Sequence, residues 1–315
     1  MAQKGRSPTW QGVALTAQGG TEILARELFS RLPAALLDSV HISISAVEGP
    51  LRHLKPHIFW AHQSYDQPSV QNLSDPEVVS AVDRFVFVSE WQRAQYLLHF
   101  PIPPQKTLVI RNAIEPIAAH TKERGNLKLI YTSTPFRGLD VLLDAFELLG
   151  RDDIELHIYS GMGLYGRPWE DTQFLHLYQK AQSMKGVFYH GAVQNREVRE
   201  ALKHAHIFAY PSTWEETSCL ALIEAMSAGC RAVVPVLGAL PETASGFAHL
   251  YPYVSDKKEH AVRFAHELGT AIDTFWMPST QEGLALQKKF FDKNYSWEPR
   301  VDEWTALLKY LASNG

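Results

Sequence analysis

The sequence predicts an α/β fold with two domains, each built on a parallel sheet that is covered by helices. From residue 20 onward, short apolar runs alternate with amphipathic stretches, which is the pattern of βαβ units. The pattern is interrupted once and then restarts. The 315 residues exceed the usual size of one domain and fit two. We therefore expect two Rossmann-like domains with parallel sheets facing a central cleft.

The candidate strands fall into two sets. They are residues 41–45, 57–61, 84–89 and 107–110, and then 127–132, 154–159, 187–190, 207–210 and 232–236. Residues 115–126 between the sets are polar and without a clear period, which is typical of a linker. We place the domain boundary near residue 118, with an N-terminal domain over 1–118 and a C-terminal domain over 119–298. Residues 1–8 are too polar for a buried first strand, so either 13–16 forms it or that strand is short or absent.

Several helices have recognisable ends and faces. Asn195 is a candidate N-cap for a helix over 196–204, and Gly229 follows another helix as a C-terminal glycine does. An apolar stripe along residues 140–149 indicates core packing, not function.

The composition describes an ordinary globular protein, with 45% hydrophobic and 20% charged residues. The net charge of −4 argues against a general nucleic-acid binder. No apolar run approaches the roughly twenty residues that span a bilayer, and residues 1–6 lack the apolar core of a signal peptide. We therefore expect a cytoplasmic protein. Cys219 and Cys230, the only cysteines, lie in segments that are predicted to be buried, so a disulfide framework is not indicated.

The most informative feature is a pair of carboxylates, Glu216 and Glu224, in a segment that predicts a loop followed by a helix. A carboxylate in the loop and a second one a little over two helical turns later can face one pocket. The free amides at the start of that helix form an anion site suited to phosphate. The pair therefore predicts a phosphate-bearing ligand with hydroxyl groups.

Other candidate residues follow predicted strands or precede predicted helices. Gly19 and Gly20 let the backbone pass close to a ligand, although glycine-rich loops of this length are common and an ordinary tight turn and cap is the alternative. Arg137 lies at the carboxyl end of a strand, where open α/β sheets bind ligands, and can hold a diphosphate. The alternative is a solvated loop arginine. His62 ends the strand 58–61, but a lone histidine is more often structural.

No pattern predicts a metal site. His53, His57 and His62 do not make a convincing ligand set, and the chain has no Asp-x-Asp pair of the kind that holds a metal on a diphosphate. Arg137 and the helix amides would then neutralise the diphosphate without a metal or other cofactor.

The motifs resemble the retaining glycosyltransferases of family 4, within glycosyl transferase group 1. In order, they are Gly19-Gly20-Thr21-Glu22, Val88-Ser89-Glu90-Trp91, Val109-Ile110-Arg111-Asn112-Ala113-Ile114, Phe136-Arg137-Gly138-Leu139-Asp140, Pro211-Ser212 and the block from Glu216 to Gly229. The similarity runs from about Gly19 to the end, and the last block is the most specific. The resemblance implies the GT-B fold, with the C-terminal helix, 299–315, packing back on the first domain.

The resemblance also implies roles for the candidate residues. Glu224 would accept hydrogen bonds from the donor ribose, and Glu216, with His62 as the second catalytic candidate, would lie against the transferred sugar. Arg137 and the amides of the segment after Glu216 would hold the diphosphate. The donor-binding set is Gly19, Gly20, Arg137, Thr217, Ser218, Cys219, Leu220 and Glu224.

The chain departs from the family pattern at the phosphate site. The family usually carries two basic residues there, and the first is replaced in this chain within Tyr131-Thr132-Ser133. Ala113 replaces a usual glycine, and Thr217-Ser218-Cys219 stands where glycine and phenylalanine are frequent. These changes suit a compact subgroup with a short first domain.

The leading hypothesis is a retaining, metal-independent transfer of a sugar from a nucleoside diphosphate sugar to a hydroxyl acceptor. A UDP-sugar is favoured and GDP-mannose is the second option. The alternatives are a sugar-nucleotide epimerase of GT-B fold and an inactive sugar-nucleotide-binding partner subunit. The acceptor class and the oligomeric state stay open. Nucleic acid is not favoured as a partner, and a peripheral position at the membrane is compatible with the sequence.

Overall fold

The computed structural model describes residues 10–11, 19–47 and 55–314. The chain divides into two compact units. Unit 1 comprises Met1–Thr16, Gly20–Asn112 and Trp297–Gly315, and unit 2 comprises Ala17–Gly19 and Ala113–Ser296. The division after Asn112 lies a few residues before the predicted boundary near 118, because Ile114 and Ile117 are buried in the core of unit 2.

The described strands are β1 Trp10–Gln11, β2 His41–Ile44, β3 His57–Trp60, β4 Arg84–Phe87, β5 Thr107–Val109, β6 Leu127–Tyr131, β7 Ile154–Ile158, β8 Val187–Tyr189, β9 Ile207–Ala209, β10 Arg231–Val236 and β11 His249–Pro252. The described helices are α1 Gly20–Arg31, α2 Ala34–Leu37, α3 Pro76–Ser80, α4 Glu90–His99, α5 Leu139–Leu149, α6 Leu175–Ser183, α7 Asn195–His204, α8 Leu220–Ser227, α9 Leu240–Ala244, α10 Lys257–Asp273, α11 Pro278–Asn294 and α12 Trp297–Asn314.

Unit 1 contains a parallel sheet in the order β1-β2-β3-β4-β5. All four residues of β3 are buried, as expected for a parallel strand that is covered on both faces. The helix α12 belongs to this unit, and its Trp304 ring meets Trp60 of β3 edge-on at 5.0 Å between centroids. The first strand is short, with two residues paired to β2. The alternative over 13–16 lies outside the described residues.

Unit 2 contains a parallel sheet in the order β11-β10-β9-β6-β7-β8. From β6 the chain adds β7 and β8 on one side, and then β9, β10 and β11 on the other. The direction of winding therefore reverses between β6 and β9. Parallel α/β sheets bind ligands outside the carboxyl ends of the strands at such a switch point. The segment with Arg137 follows β6, and the segment with Glu216 follows β9, so these two candidates belong to neighbouring strands.

One helix start differs from the sequence-based expectation. Asn195 is the first residue of α7, and Gln194 holds the cap position without a side-chain hydrogen bond to the helix. The Asn195 amide instead donates to Glu224. The prediction of Asn195 as an N-cap is therefore wrong, because a partner that is distant in sequence uses the side chain.

The predicted stripe of α5 lies in the core of unit 2, with Val141, Leu142, Ala145 and Phe146 buried. Both thiols are buried and form no disulfide. Among the described helices, none combines the length and the apolar character that crossing a membrane requires.

The loops after β6 and β9 touch at Gly138, and this contact generates a stability prediction. Gly138 has a φ of +103°, and a Cβ there would lie 2.1 Å from the carbonyl oxygen of Pro211. We expect Gly138→Ala to lower the free energy of unfolding by about 3 kcal/mol or more, because it adds backbone strain to overpacking. Urea-induced unfolding measures the change.

Gly150→Ala is the matched control. Gly150 has a φ of +55°, and the nearest heavy atom to its added Cβ lies at 3.9 Å. This change adds only the cost of a left-handed alanine, about 1–2 kcal/mol. Equal losses in the two variants would contradict the close approach of the two loops.

Candidate active site

Glu216 is a buried carboxylate held by two side chains. It is 6% exposed and lies in the loop between β9 and α8. Its Oε1 accepts hydrogen bonds from Arg137 Nη1 at 2.8 Å and from the Tyr210 hydroxyl at 2.5 Å. Both of these hydrogen bonds end on Oε1, and neither of them involves Oε2. The structure thus brings the two predicted residues Arg137 and Glu216 into direct contact.

Tyr210 directly follows β9 and is fully buried. Burial and the negative charge of Glu216 raise the pKa of its hydroxyl well above the usual value, so the group stays protonated and donates. The hydroxyl also lies 3.4 Å from Ser133 Oγ, at the carboxyl end of β6. A chain of neutral hydroxyl groups therefore connects Ser133 with Glu216.

The backbone of Glu216 is fixed by the turn after β10. Its carbonyl accepts a hydrogen bond from the Ala239 amide at 2.7 Å. Gly238, with a φ of +56°, approaches so closely that a Cβ there would lie 2.7 Å from the Glu216 nitrogen. The loops after β6, β9 and β10 together hold this carboxylate.

Arg137 ends a 3₁₀ turn, Pro135–Arg137, and its guanidinium lies beside two aromatic rings. The centre of its guanidinium is 5.6 Å from the Phe136 ring and 5.8 Å from the Trp214 ring. The two rings meet edge to face with centroids 5.6 Å apart. Guanidinium groups favour such faces. Arg137 is therefore a held side chain and not the solvated loop arginine that was the alternative.

Glu224 is the second buried carboxylate, on α8, and it is 5% exposed. Arg199 Nη1 donates to its Oε1 at 2.8 Å, and Asn195 Nδ2 donates to its Oε2 at 3.1 Å. Burial raises the pKa of Glu224, while Arg199 and then Asn195 oppose this effect. Both partners lie one turn apart on α7, which packs beside α8.

The segment between the two glutamates leads into the first turn of α8. Cys219 occupies the cap position without a side-chain hydrogen bond to the helix, and Leu220 is the first helical residue. The first amides of an α-helix have no acceptor within the helix and carry its positive dipole end. Burial, and then the charge of Glu216, raise the pKa of the Cys219 thiol, so it stays protonated at neutral pH. Thr217 and Ser218 are half-buried.

The roles of the N-terminal candidates His62, Gly19 and Gly20 stay predictions. His62 follows β3, and its ring lies against Trp60 with centroids 4.4 Å apart. Burial lowers the pKa of His62 to about 3, so the imidazole is neutral at physiological pH. Gly20 begins α1, and Gly19 forms the bend before it.

Sequence reasoning missed Tyr210, Asn195 and Arg199. The sequence predicts Tyr210 only as the last residue of the strand 207–210. The four-residue spacing of Asn195 and Arg199 puts them on one helix face, but no local signal connects that face with Glu224.

Residues 128–273 match the family model of the glycosyl transferases group 1. The matched segment lies in unit 2 and contains Arg137, Glu216 and Glu224, as well as the newly found Arg199. No curated protein sequence matches the chain.

Solved structures of glycosyltransferases share the fold. The glycosyltransferase from Rickettsia africae matches with a TM-score of 0.70 and 13% identity over 100% of this chain and 85% of its own. Anabaena HepE, in complex with UDP and glucose, matches with 0.68 and 14% over 92% and 82%. The pneumococcal O-GlcNAc transferase GtfA, in complex with UDP and GlcNAc, matches with 0.66 and 14% over 92% and 60%.

These matches confirm the predicted fold class, α/β of GT-B type with two parallel sheets. The chain spans 53% of the matched chain of the GtfA/B complex and 60% of pneumococcal GtfA. Across the described part of the chain, no three His, Cys, Asp or Glu side chains are grouped so that they could hold a metal ion.

The hydrogen bond from Tyr210 to Glu216 generates a testable prediction. We expect Tyr210→Phe to lower the free energy of unfolding by about 1.5–3 kcal/mol, because a buried carboxylate loses a donor while the ring packing stays. Chemical denaturation measures the loss.

Tyr189→Phe serves as the comparison. The Tyr189 hydroxyl donates to the carbonyl of Ser160 at 2.9 Å and is only partly buried, so its removal should cost about 0.5–1.5 kcal/mol. A smaller loss for Tyr210→Phe than for Tyr189→Phe would show that the Tyr210 hydroxyl does not stabilise Glu216.

Proposed function

We propose that the chain is a retaining, metal-independent glycosyltransferase that moves a sugar from a nucleoside diphosphate sugar to a hydroxyl acceptor. The observation that carries this proposal is the pair of buried carboxylates, Glu216 and Glu224, in a segment that matches the glycosyl transferases group 1. Glu216 lies at the switch point of the unit 2 sheet, where α/β sheets bind ligands. UDP is the favoured nucleotide, in agreement with the UDP complexes of GtfA and HepE. GDP-mannose is the second option.

Glu224 and Glu216 take different parts of the donor in this proposal. Glu224 accepts hydrogen bonds from the ribose hydroxyls, since a carboxylate has about four lone-pair sites and can accept from a diol. Glu216 meets the transferred sugar through Oε2, because Arg137 and Tyr210 both bind Oε1. The two donors thus fix the carboxylate orientation before the sugar arrives. His62, neutral at physiological pH, acts in this scheme as a hydrogen-bonding group.

The diphosphate is the leaving group, so its negative charge grows as the bond to the sugar breaks. Arg137 and the first turn of α8, where the helix dipole has its positive end, stabilise that charge. A guanidinium carries five N–H donors in a fixed fork, so contact with Glu216 does not prevent contact with a phosphate. These groups make the reaction independent of a metal ion in this proposal. The acceptor is a hydroxyl compound of open class.

A donor panel tests the proposal. We expect purified protein to bind UDP or GDP, and to release it slowly from UDP-glucose, UDP-galactose, UDP-GlcNAc or GDP-mannose, with EDTA present as well as absent. Calorimetry measures binding, chromatography measures nucleotide release, and NMR of the first sugar product shows whether the anomeric configuration is retained.

Each outcome of the panel has a distinct meaning. Nucleotide binding without any hydrolysis or transfer, also with a broad acceptor mixture, favours the non-catalytic binding subunit. Conversion of the donor sugar to an isomer that stays bound to the nucleotide favours the epimerase. No binding of UDP, GDP or any donor refutes the proposal.

Substitution of the two glutamates separates catalysis from binding. We expect Glu216→Ala to lower turnover at least about 100-fold with little change in donor affinity, because Arg137 stays available to the diphosphate. Glu224→Ala should weaken donor binding about 10- to 100-fold through the loss of hydrogen bonds to a charged group.

Glu215→Ala is the matched control, since Glu215 is the exposed neighbour of Glu216. It should keep both turnover and affinity. Full activity in the Glu216 and Glu224 variants would show that the site is assigned to the wrong residues.

A further inference from the structure

Arg199 lies in an unusual position for a surface-helix arginine. Its side chain is only 20% exposed, and the Glu224 side chain that it contacts is 7% exposed. The Nη1 group donates to Glu224 Oε1 at 2.8 Å, and the Nη2 group donates to the carbonyl of Glu115 at 2.7 Å. Two fixed acceptors on different segments therefore hold the guanidinium, so it defines a position for the carboxylate.

The two α7 side chains leave acceptor capacity on both oxygens of Glu224. Arg199 takes Oε1, and Asn195 takes Oε2 at 3.1 Å with a longer contact to Oε1 at 3.4 Å. A carboxylate oxygen has two lone pairs. On Oε2, the Asn195 amide uses one direction, and the other can receive a hydroxyl. On Oε1, Arg199 makes the short contact and Asn195 only a long one, so a ligand hydroxyl can take the place of the long contact. Two neighbouring hydroxyls of one ligand match that arrangement.

We propose that Arg199 is a positioning residue of the nucleotide site: it holds Glu224 ionised and oriented so that both oxygens accept from the two hydroxyls of the donor ribose. This inference rests on the proposed function, in which Glu224 binds the ribose. Arg199 acts through Glu224 and has no direct role in sugar transfer.

Among the elements packed around Glu224, α7 supplies the charged side chain that acts on it, which is Arg199. On α7, Asn195 is neutral. The segment between β5 and β6 contributes the carbonyl of Glu115, which accepts from Arg199. On α11, Lys288 donates to the carbonyls of Ile117 and Ser227 and pairs with Asp292. Burial raises the pKa of Glu224, and among the described groups Arg199 is the leading one that opposes it.

The sign of the pH effect follows from the two forms of the carboxyl group. The ionised form accepts both ribose hydroxyls, whereas the protonated form turns one oxygen into a donor. Ribose binding is therefore complete above the pKa of Glu224 and weakens as the pH falls through it. Removal of the Arg199 cation raises that pKa further, so the weakening begins at a higher pH.

The test is the pH profile of UDP and GDP binding between pH 5 and 9, measured by calorimetry on the full chain. We expect the acidic loss of affinity to move up by about one pH unit or more in Arg199→Gln. Arg199→Lys keeps the charge, so its acidic limb should stay near that of the wild type even if affinity falls. Glu224→Gln lacks the titrating group and gives the pH dependence of the ligand alone.

Two further variants separate positioning from other roles. Arg196→Gln removes an exposed arginine from the same helix and should leave the profile unchanged. In the double variant Arg199→Gln/Glu224→Gln, affinity should equal that of Glu224→Gln, because Arg199 acts only through the carboxylate. Thermal unfolding of each variant verifies that it is folded, and Arg199→Lys carries the test if Arg199→Gln does not fold.

Three results would overturn the inference. One is an acidic limb of Arg199→Gln that coincides with the wild type. Another is a further loss of nucleotide affinity when Arg199→Gln is added to Glu224→Gln, which would mean that Arg199 contacts the ligand itself. The third applies if Arg199→Gln does not fold. It is an acidic loss of affinity in Arg199→Lys that moves up by about one pH unit or more, although the charge is kept. If the wild type binds neither nucleotide, the proposed function fails first, and the inference fails with it.

Discussion

Two carboxylates are buried in unit 2, and each is tolerated because a guanidinium lies against it. A carboxylate that leaves water without a partner costs several kcal/mol, and a protein usually avoids that cost by pairing or protonation. Glu216 has Arg137 and Glu224 has Arg199, both at 2.8 Å. The packing around the site must therefore bring two arginines, distant in sequence, to fixed places. Much of the local architecture follows from this requirement.

The sheet order satisfies the first pairing. Because β6 and β9 are adjacent although they are far apart in sequence, the loops that follow them meet at one edge. The meeting is close enough that Gly138 must lack a side chain against Pro211, and Gly238 must lack one against Glu216. Helix packing satisfies the second pairing, since α7 lies beside α8 and presents Asn195 and Arg199 to Glu224. The glycines at 138 and 238 thus allow the close loop packing that brings Arg137 to Glu216.

Features that depend on the local sequence could be predicted, whereas features that depend on contacts between distant segments could not. Most strands of the two sheets were recognisable as apolar runs, and strands such as β3 and β9 form such runs because they are buried on both faces. The candidates Arg137 and Glu216 were recognisable because they follow such runs. The strand β11 was missed, since it contains His249 and Pro252 and exposes alternate residues at the sheet edge. The strand β1 was uncertain because it has only two residues.

The partners of the glutamates were not predictable for a different reason. Asn195 has the residue type and the location of an N-cap, and only the approach of Glu224 in three dimensions gives its amide another role. Arg199 lies on a helix with several other charged residues, so its sequence neighbourhood does not distinguish it from a solvated side chain. Tyr210 has an apolar body that fits a strand end, and its hydroxyl becomes informative only beside Glu216.

The two arginines differ in what their surroundings allow them to do. Arg199 is tied to a backbone carbonyl as well as to Glu224, which suits a fixed support. Arg137 lies beside the rings of Phe136 and Trp214, and contacts with aromatic faces use none of the N–H donors of a guanidinium. Ser133 and Tyr210 add hydroxyl groups but no charge around Glu216. The charges of Glu216 and Arg137 then nearly cancel, and an arriving diphosphate would meet a site whose net charge is close to zero. Under the proposed function, the amides of α8 must contribute more of the stabilisation than they would beside a second basic residue.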